Sequence, residues 1–210
     1  MRKTKAEALK TREELLLSAL DTFYERGISR ASLNEIAQTA GVTRGALYWH
    51  FKNKEALFEA LFQRISDEVT QETLRDIEAQ SPDIWLHLQQ SLNNTFACLE
   101  SNDVYYKFFH ILYLKCEHTE QNHSIIDILR RYQTLWSDQI LAVINIGLQQ
   151  HTLPPQLNPT LASIYLQSTV VGLMTLWLRN TENFELSSVA PKIIEASLSV
   201  LKQCPALQNK

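Results

Sequence analysis

Apolar side chains recur along this chain with the period of a helix, and no segment shows the alternation of a strand. Leu16, Ala19, Leu20 and Phe23 fall at i, i+3, i+4 and i+7, which predicts a first helix closing at Arg26–Gly27. A basic last turn followed by glycine complements the helix dipole and lets the chain turn away. Ser32 and Glu35 in SLNE have the spacing of a capping box, so a short second helix runs over 33–40 and stops at Gly41. Thr43 is placed to cap a third helix ending near His50, and Asn53 a fourth. Leu57, Phe58, Leu61, Phe62 and Ile65 form the apolar face of that fourth helix, which turns polar towards Gln80. Beyond Pro82 the pattern predicts helices near 83–100, 103–114, 122–150, 159–179 and 188–203. HTLPPQLNP at 151–159 and NFELSS at 183–188 read as connections. The expected class is all-α, about nine helices.

The stretch GVTRGALYWHFKNK at 41–54 is where the pattern carries chemistry. Two short helices joined at a glycine have helix-turn-helix spacing, with Ala37 small enough for close approach and Gly41 free to adopt the turn. Ile36, Ala40, Val42 and Leu47 are expected to bury together, leaving Thr43, Arg44, Gly45, Tyr48, Trp49 and His50 facing outward. Such a face suits the major groove of DNA. Arg44 offers a bidentate contact to guanine, Gly45 a close backbone approach, and Tyr48 and Trp49 flat surface for a thymine methyl or sugar. Ser32 and Thr43 add hydroxyls at helix N-termini, which favour phosphate. Lys54 opposes the dipole of the helix it begins, a mismatch of about 0.3–1 kcal/mol that a bound phosphate would offset. Phe51 is read as core.

Composition changes the picture in one respect. A content of 45% hydrophobic and 20% charged residues is that of a globular chain, with a net charge of −3. The charge is uneven: residues 1–54 hold ten Lys/Arg against six Asp/Glu, and the remainder ten against seventeen. A basic end on an acidic body fits an anionic partner at that end. The basic N-terminus lacks the apolar segment of a secretory signal. No run approaches the roughly 18 apolar residues of a bilayer crossing, so a cytoplasmic chain with no membrane partner is expected. Cys98, Cys116 and Cys204 are then expected to be reduced thiols. Cys116-Glu117-His118-x-Glu120-x-x-His123 has metal-ligating residue types but matches no metal-site spacing, and no metal or cofactor is expected.

Residues 10–62, and TRGALYWHFKNKEALFEALF above all, resemble the DNA-binding domain of TetR-family transcriptional repressors. ILYLKCEHTEQN at 111–122 and FELSSVAPKIIEASL at 184–198 are similar to the repressors of multidrug efflux genes within that family. The resemblance implies a DNA-binding domain over 1–53, a connecting helix over 54–80 and a ligand-binding and dimerisation domain over 81–210. It implies a homodimer through the helices near 159–179 and 188–203, on a pseudo-palindromic operator in double-stranded DNA. Carried onto this sequence, the DNA contacts fall on Ser32, Thr43, Arg44, Gly45, Tyr48, Trp49, His50, Lys52 and Lys54.

The implied inducer is a hydrophobic or cationic small molecule. Tyr105, Phe109 and Tyr113, with Gln133, Trp136 and Val171, are its candidate wall, since aromatic faces hold flat lipophilic cations. Family members often carry an acidic residue and an arginine in the penultimate helix; VGLMTLW at 171–177 has Val171 and Leu176 there, which implies a more apolar pocket. Release of efflux-gene repression by ligand is the implied function. A regulator of lipid or other metabolic genes, with a different effector, is the alternative. An enzyme is opposed by the lack of GxSxG, HExxH or a phosphate-binding glycine loop. A protein-binding adaptor is opposed by Arg44, Tyr48 and Lys54.

Overall fold

A computed structural model describes residues 4–115 and 122–209. Among them are nine α-helices: α1 Lys5–Arg26, α2 Leu33–Thr39, α3 Arg44–His50, α4 Lys54–Glu78, α5 Ile84–Ser101, α6 Asp103–His110, α7 His123–Gln149, α8 Pro159–Arg179 and α9 Leu186–Gln203. A single antiparallel bridge, Leu157 to Gln208, is the β-pairing among the described residues. The helix expected over 103–114 is instead α6 followed by a π-helical turn, Ile111–Lys115. That wider turn is the kind of irregularity often found at working sites. Of the Cys116 to His123 group, residues 116–121 lie outside the described residues, and His123 Nε2 pairs with Asp127 Oδ2 one turn along α7.

The chain divides into two compact units interleaved in sequence: Met1–Asp67 with Asp103–Arg130, and Glu68–Asn102 with Arg131–Lys210. The first unit is built on the apolar stripe of α1. Leu15, Leu16, Ala19, Leu20 and Phe23 are buried against Ile36, Ala37, Leu47, Leu57, Phe58, Leu61 and Phe62. Aromatic contacts continue this core: Phe23 meets Phe58 edge-on at 5.7 Å, Phe58 stacks on Phe62 at 4.4 Å, and Phe62 reaches Phe108 of α6 at 4.5 Å. Each such side chain contributes about 1.5–3 kcal/mol by leaving water.

In the second unit α5 and α9 are packed partners, and α9 also packs on α8. Ile84, Leu88, Leu92, Phe96 and Leu99 face inward from α5, and Leu186, Ala190, Ile194, Leu198 and Leu201 from α9. Trp85 lies so close to α7 that a Cβ at Gly147 would stand 2.5 Å from its Nε1, which leaves room for glycine alone. The indole N–H donates to Thr152 Oγ1 at 2.9 Å, and that hydroxyl donates to the Gly147 carbonyl at 3.0 Å.

One expectation is corrected here. By length and composition α8 is apolar enough to cross a bilayer. Small and hydroxyl residues break its apolar run in the sequence, so a search for uninterrupted runs passes over it. Ala162, Leu166, Val170, Leu173, Met174 and Trp177 place its apolar face inside the unit.

The N-terminus of α9 is capped from another helix. Its N-cap residue Glu185 makes no side-chain cap bond, and Glu100 of α5 substitutes. Glu100 accepts the N–H of Leu186 at 2.7 Å and that of Ser187 at 2.9 Å. Burial alone would raise its pKa, but hydrogen bonds from the Ser187 hydroxyl and N–H and the Leu186 N–H outweigh it, and the carboxyl sits below its ordinary value. A depressed carboxylate stabilises the fold above the unfolded value of about 4.3 and loses that contribution as pH falls through the folded one. Glu100→Gln is therefore expected to cost about 1 kcal/mol at neutral pH in a urea titration, with the gap to wild type closing below about pH 4.

Candidate nucleic-acid interface

The interface is assembled from local caps first. Ser32 Oγ accepts the Glu35 N–H at 3.2 Å while Glu35 Oε2 accepts the Ser32 N–H at 3.1 Å, closing the expected capping box of α2. The Ser32 hydroxyl and N–H hold the Glu35 carboxyl below its ordinary range. The helix ends in a Schellman pattern: Gly41 N–H donates to Gln38 O and Val42 N–H to Ala37 O, both at 3.0 Å, with Gly41 at φ 65°. Thr43 Oγ1 then accepts the Ala46 N–H at 3.2 Å to start α3, and Asn53 Oδ1 accepts the Ala56 N–H at 2.9 Å to start α4.

These caps, with Ile36, Ala37 and Leu47 buried beneath, fix which face of α3 is free. Ala40 and Val42, expected in that core, are half-buried at its margin, and Phe51 is buried. Ser32, Thr43, Arg44, Gly45 and Lys52 are exposed. Trp49 is 74% exposed and Tyr48 43%, high values for rings of their size. His50 is half-buried with its ring edge-on to Trp49 at 4.6 Å. The Arg44 guanidinium lies 5.3 Å over the Tyr48 ring and donates through Nη2 to Tyr48 Oη at 3.3 Å. Both contacts lay the arginine against Tyr48 at the N-terminal end of α3. A Cβ on Gly45 would meet nothing nearer than Thr43 Oγ1 at 3.9 Å, an ordinary contact, so packing within the chain does not require glycine there.

Lys54 has an occupation that sequence reasoning did not supply. Its Nζ donates to the carbonyls of Ile28 at 2.8 Å, Ser29 at 3.2 Å and Ala31 at 3.3 Å. An ammonium has three N–H donors, and all three are engaged. Burial lowers its pKa, with Glu55 opposing. The mismatch with the α4 dipole is thus answered by carbonyls of the turn between α1 and α2. Asn122, 3% exposed, reaches the same turn, donating through Nδ2 to Ser29 Oγ at 2.6 Å. Neither contact has a local sequence signature, because the partners are 23 to 93 residues apart.

The six candidate ligand residues fall on both units. In the first, Tyr105, Phe109 and Tyr113 form a ladder along α6 and the π turn, with Phe109 and Tyr113 stacked at 6.2 Å. Desolvation of the phenol end pushes Tyr113 up to about 12, although the residue as a whole is only half-buried. In the second, Trp136 and Val171 are half-buried and Gln133 is exposed. An open cleft of about 290 Å³ in the second unit is lined by Glu72, Arg75, Asp76, His87, Gln90 and Asn94. It is polar and contains none of the six.

A capped two-helix turn presenting an arginine over Tyr48 and an exposed Trp49 is a helix-turn-helix. Residues 15–61 match the bacterial regulatory proteins of the tetR family, and 84–203 the C-terminal region of MAATS-type transcriptional repressors. The chain belongs to the TetR family. The transcriptional regulator AcrR of Shigella flexneri is 32% identical, over 99% of this chain and 97% of that protein. TtgR of Pseudomonas putida is 32% identical over 100% of each. Among solved structures, MexZ, a key repressor responsible for antibiotic resistance in Pseudomonas aeruginosa, has a TM-score of 0.74 at 29% identity, covering 96% of this chain and 99% of that one. SmeT in complex with triclosan has a TM-score of 0.85 over 93% of each chain, at 24% identity.

Replacing the Lys54 ammonium leaves three turn carbonyls without their donor. Lys54→Met is expected to lower unfolding free energy by about 1–3 kcal/mol, read by denaturant titration. A change under about 0.5 kcal/mol would mean that water replaces the ammonium at no cost.

Proposed function

We propose that this chain is a ligand-released repressor of multidrug efflux genes, binding a pseudo-palindromic operator as a homodimer in the cytoplasm. The observation that carries the reading is the outward face of α3, where Arg44 stands on Tyr48 beside an exposed Trp49. Its full-length relatives AcrR and TtgR are transcriptional regulators, and MexZ is a repressor responsible for antibiotic resistance. The chain's work on this reading is binding, with no catalytic step.

Arg44 reads a guanine edge, Tyr48 and Trp49 lie against thymine methyl or sugar, and Ser32, Thr43, His50 and Lys52 meet the backbone. Gly45 admits the DNA, which accounts for a glycine that the chain's own packing does not need. Lys54 acts through the turn that it holds and contributes its charge at longer range. On α8 and α9, Leu161, Ile164, Leu176 and Ile193 remain 39–62% exposed, a supply of apolar surface for a second copy. Two copies would set the α3 helices about 34–36 Å apart, one turn of DNA. The inducer is a hydrophobic or cationic molecule, with Tyr105, Phe109 and Tyr113 its candidate contacts in the first unit and Gln133, Trp136 and Val171 those in the second. Its preference for a non-binding arrangement shifts the population away from DNA.

Fluorescence anisotropy with DNA from upstream of its own gene, at several salt concentrations, tests the reading. Arg44→Ala is expected to bring operator affinity about tenfold or more closer to that for unrelated DNA. Lys52→Ala is expected to weaken both and reduce the slope of log K against log salt by about 1. Wild-type behaviour from both variants would remove the reading head from α3. Gly45→Ala separates the two roles of that position: stability should hold or rise by up to about 1 kcal/mol, while operator binding falls. Release of the complex by tetraphenylphosphonium supports the efflux assignment. Release only by long-chain acyl-CoA moves the chain to lipid genes.

A further inference from the structure

Two helices, α4 and α7, run from the first unit into the second. Their N-terminal ends hold the same short turn. Lys54, the first residue of α4, takes the carbonyls of Ile28, Ser29 and Ala31, and Asn122, the residue before α7, takes the hydroxyl of Ser29. That turn is the chain's only covalent route from α1 to Ser32, where α2 and the reading head begin. Ile125, Ile126, Ile128 and Leu129 bury the first turns of α7, so the Asn122 end is not free to follow Ser29. The carboxamide of a residue that is 3% exposed needs hydrogen-bond partners, and the Ser29 hydroxyl is one it reaches across 93 residues.

We infer that Asn122 is a positioning residue for DNA binding: through Ser29 it sets the turn from which α2 starts, and so the placement of Ser32 and α3. The inference rests on the repressor reading for its consequence and on the hydrogen bond for its geometry. Lys54 holds the carbonyls of the turn along one helix; Asn122 holds its side chain from another. With both in place, the turn is tied to each of the helices that continue into the second unit. A shift in the start of α7 then reaches α2 without passing through α4.

Asn122→Ala, Ser29→Ala, the double variant and Ser29→Thr in the full chain test this. Binding is read by anisotropy on the DNA that wild type selects, at a temperature where circular dichroism shows every variant folded. Each alanine variant is expected to weaken binding about five- to tenfold, and the double variant no more than the weaker single one. Ser29→Thr, which keeps the hydroxyl, should stay within about twofold of wild type. Hydrogen exchange supplies a readout that does not need DNA: amides of α2 should exchange faster in Asn122→Ala, with those of α9 unchanged. Should Asn122→Ala fail to fold, the Ser29→Ala and Ser29→Thr pair carries the same comparison. Unchanged affinity, additive losses, or equal loss of protection in α2 and α9 would overturn the inference. If wild type selects no DNA while the exchange difference persists, the repressor reading fails and the hold of Asn122 on α2 stands.

Discussion

An ammonium with three donors set against three backbone carbonyls is the constraint on which the helix-turn-helix of this chain depends. The carbonyls of Ile28, Ser29 and Ala31 lie in a non-helical turn, where no helix ladder can take them. Lys54 satisfies all three and thereby fixes how α1 hands the chain to α2. The placement looks unfavourable when α4 is considered alone, since a cation at its first residue opposes the dipole. Within the unit it is the reverse: the charge is desolvated, hydrogen-bonded and in use.

The same economy recurs at the other helix starts. Ser32, Thr43 and Asn53 each cap the helix that follows them through a side-chain oxygen. Three caps within 22 residues stop and restart the chain sharply enough for two seven-residue helices to exist at all. Helices that short are unstable alone, so Ile36, Ala37 and Leu47 must bury to keep them. Burial of one face is what leaves the opposite one bare. The exposure of Trp49, costly for a ring of its size, follows from that division and from its position beside Arg44.

α9 shows a start handled differently. Glu185 offers no side-chain cap, and a carboxylate from α5 supplies it. A cap delivered from a neighbouring helix couples secondary to tertiary structure, since α9 is complete only when α5 is packed against it. The N-terminal unit carries a comparable coupling at Asp21, whose carboxylate receives the Lys107 ammonium of α6 at 2.7 Å, tying α6 to α1. Lys107 is also paired with Asp103, and these hydrogen bonds hold its pKa above the ordinary lysine value.

By itself the sequence determined the helical class, the three caps, the glycine turn at 41 and the outward set on α3. Each of these rests on bonds and periodicities closed within about four residues, so the residues that encode them lie side by side. The π turn after α6, the grip of Lys54 and Asn122 on Ser29, and the Glu100 cap were decided by packing. The partners of Lys54, Asn122 and Glu100 are 25 to 93 residues away, and no local pattern ties one to the other. The apolar residues of α8 show the same limit. Leu161, Ile164 and Leu166 are equally apolar by residue type, yet Leu166 is fully buried while Leu161 is 43% and Ile164 56% exposed. A helix presents apolar side chains to every neighbour in the same way, and only the presence of that neighbour settles which of them leave water.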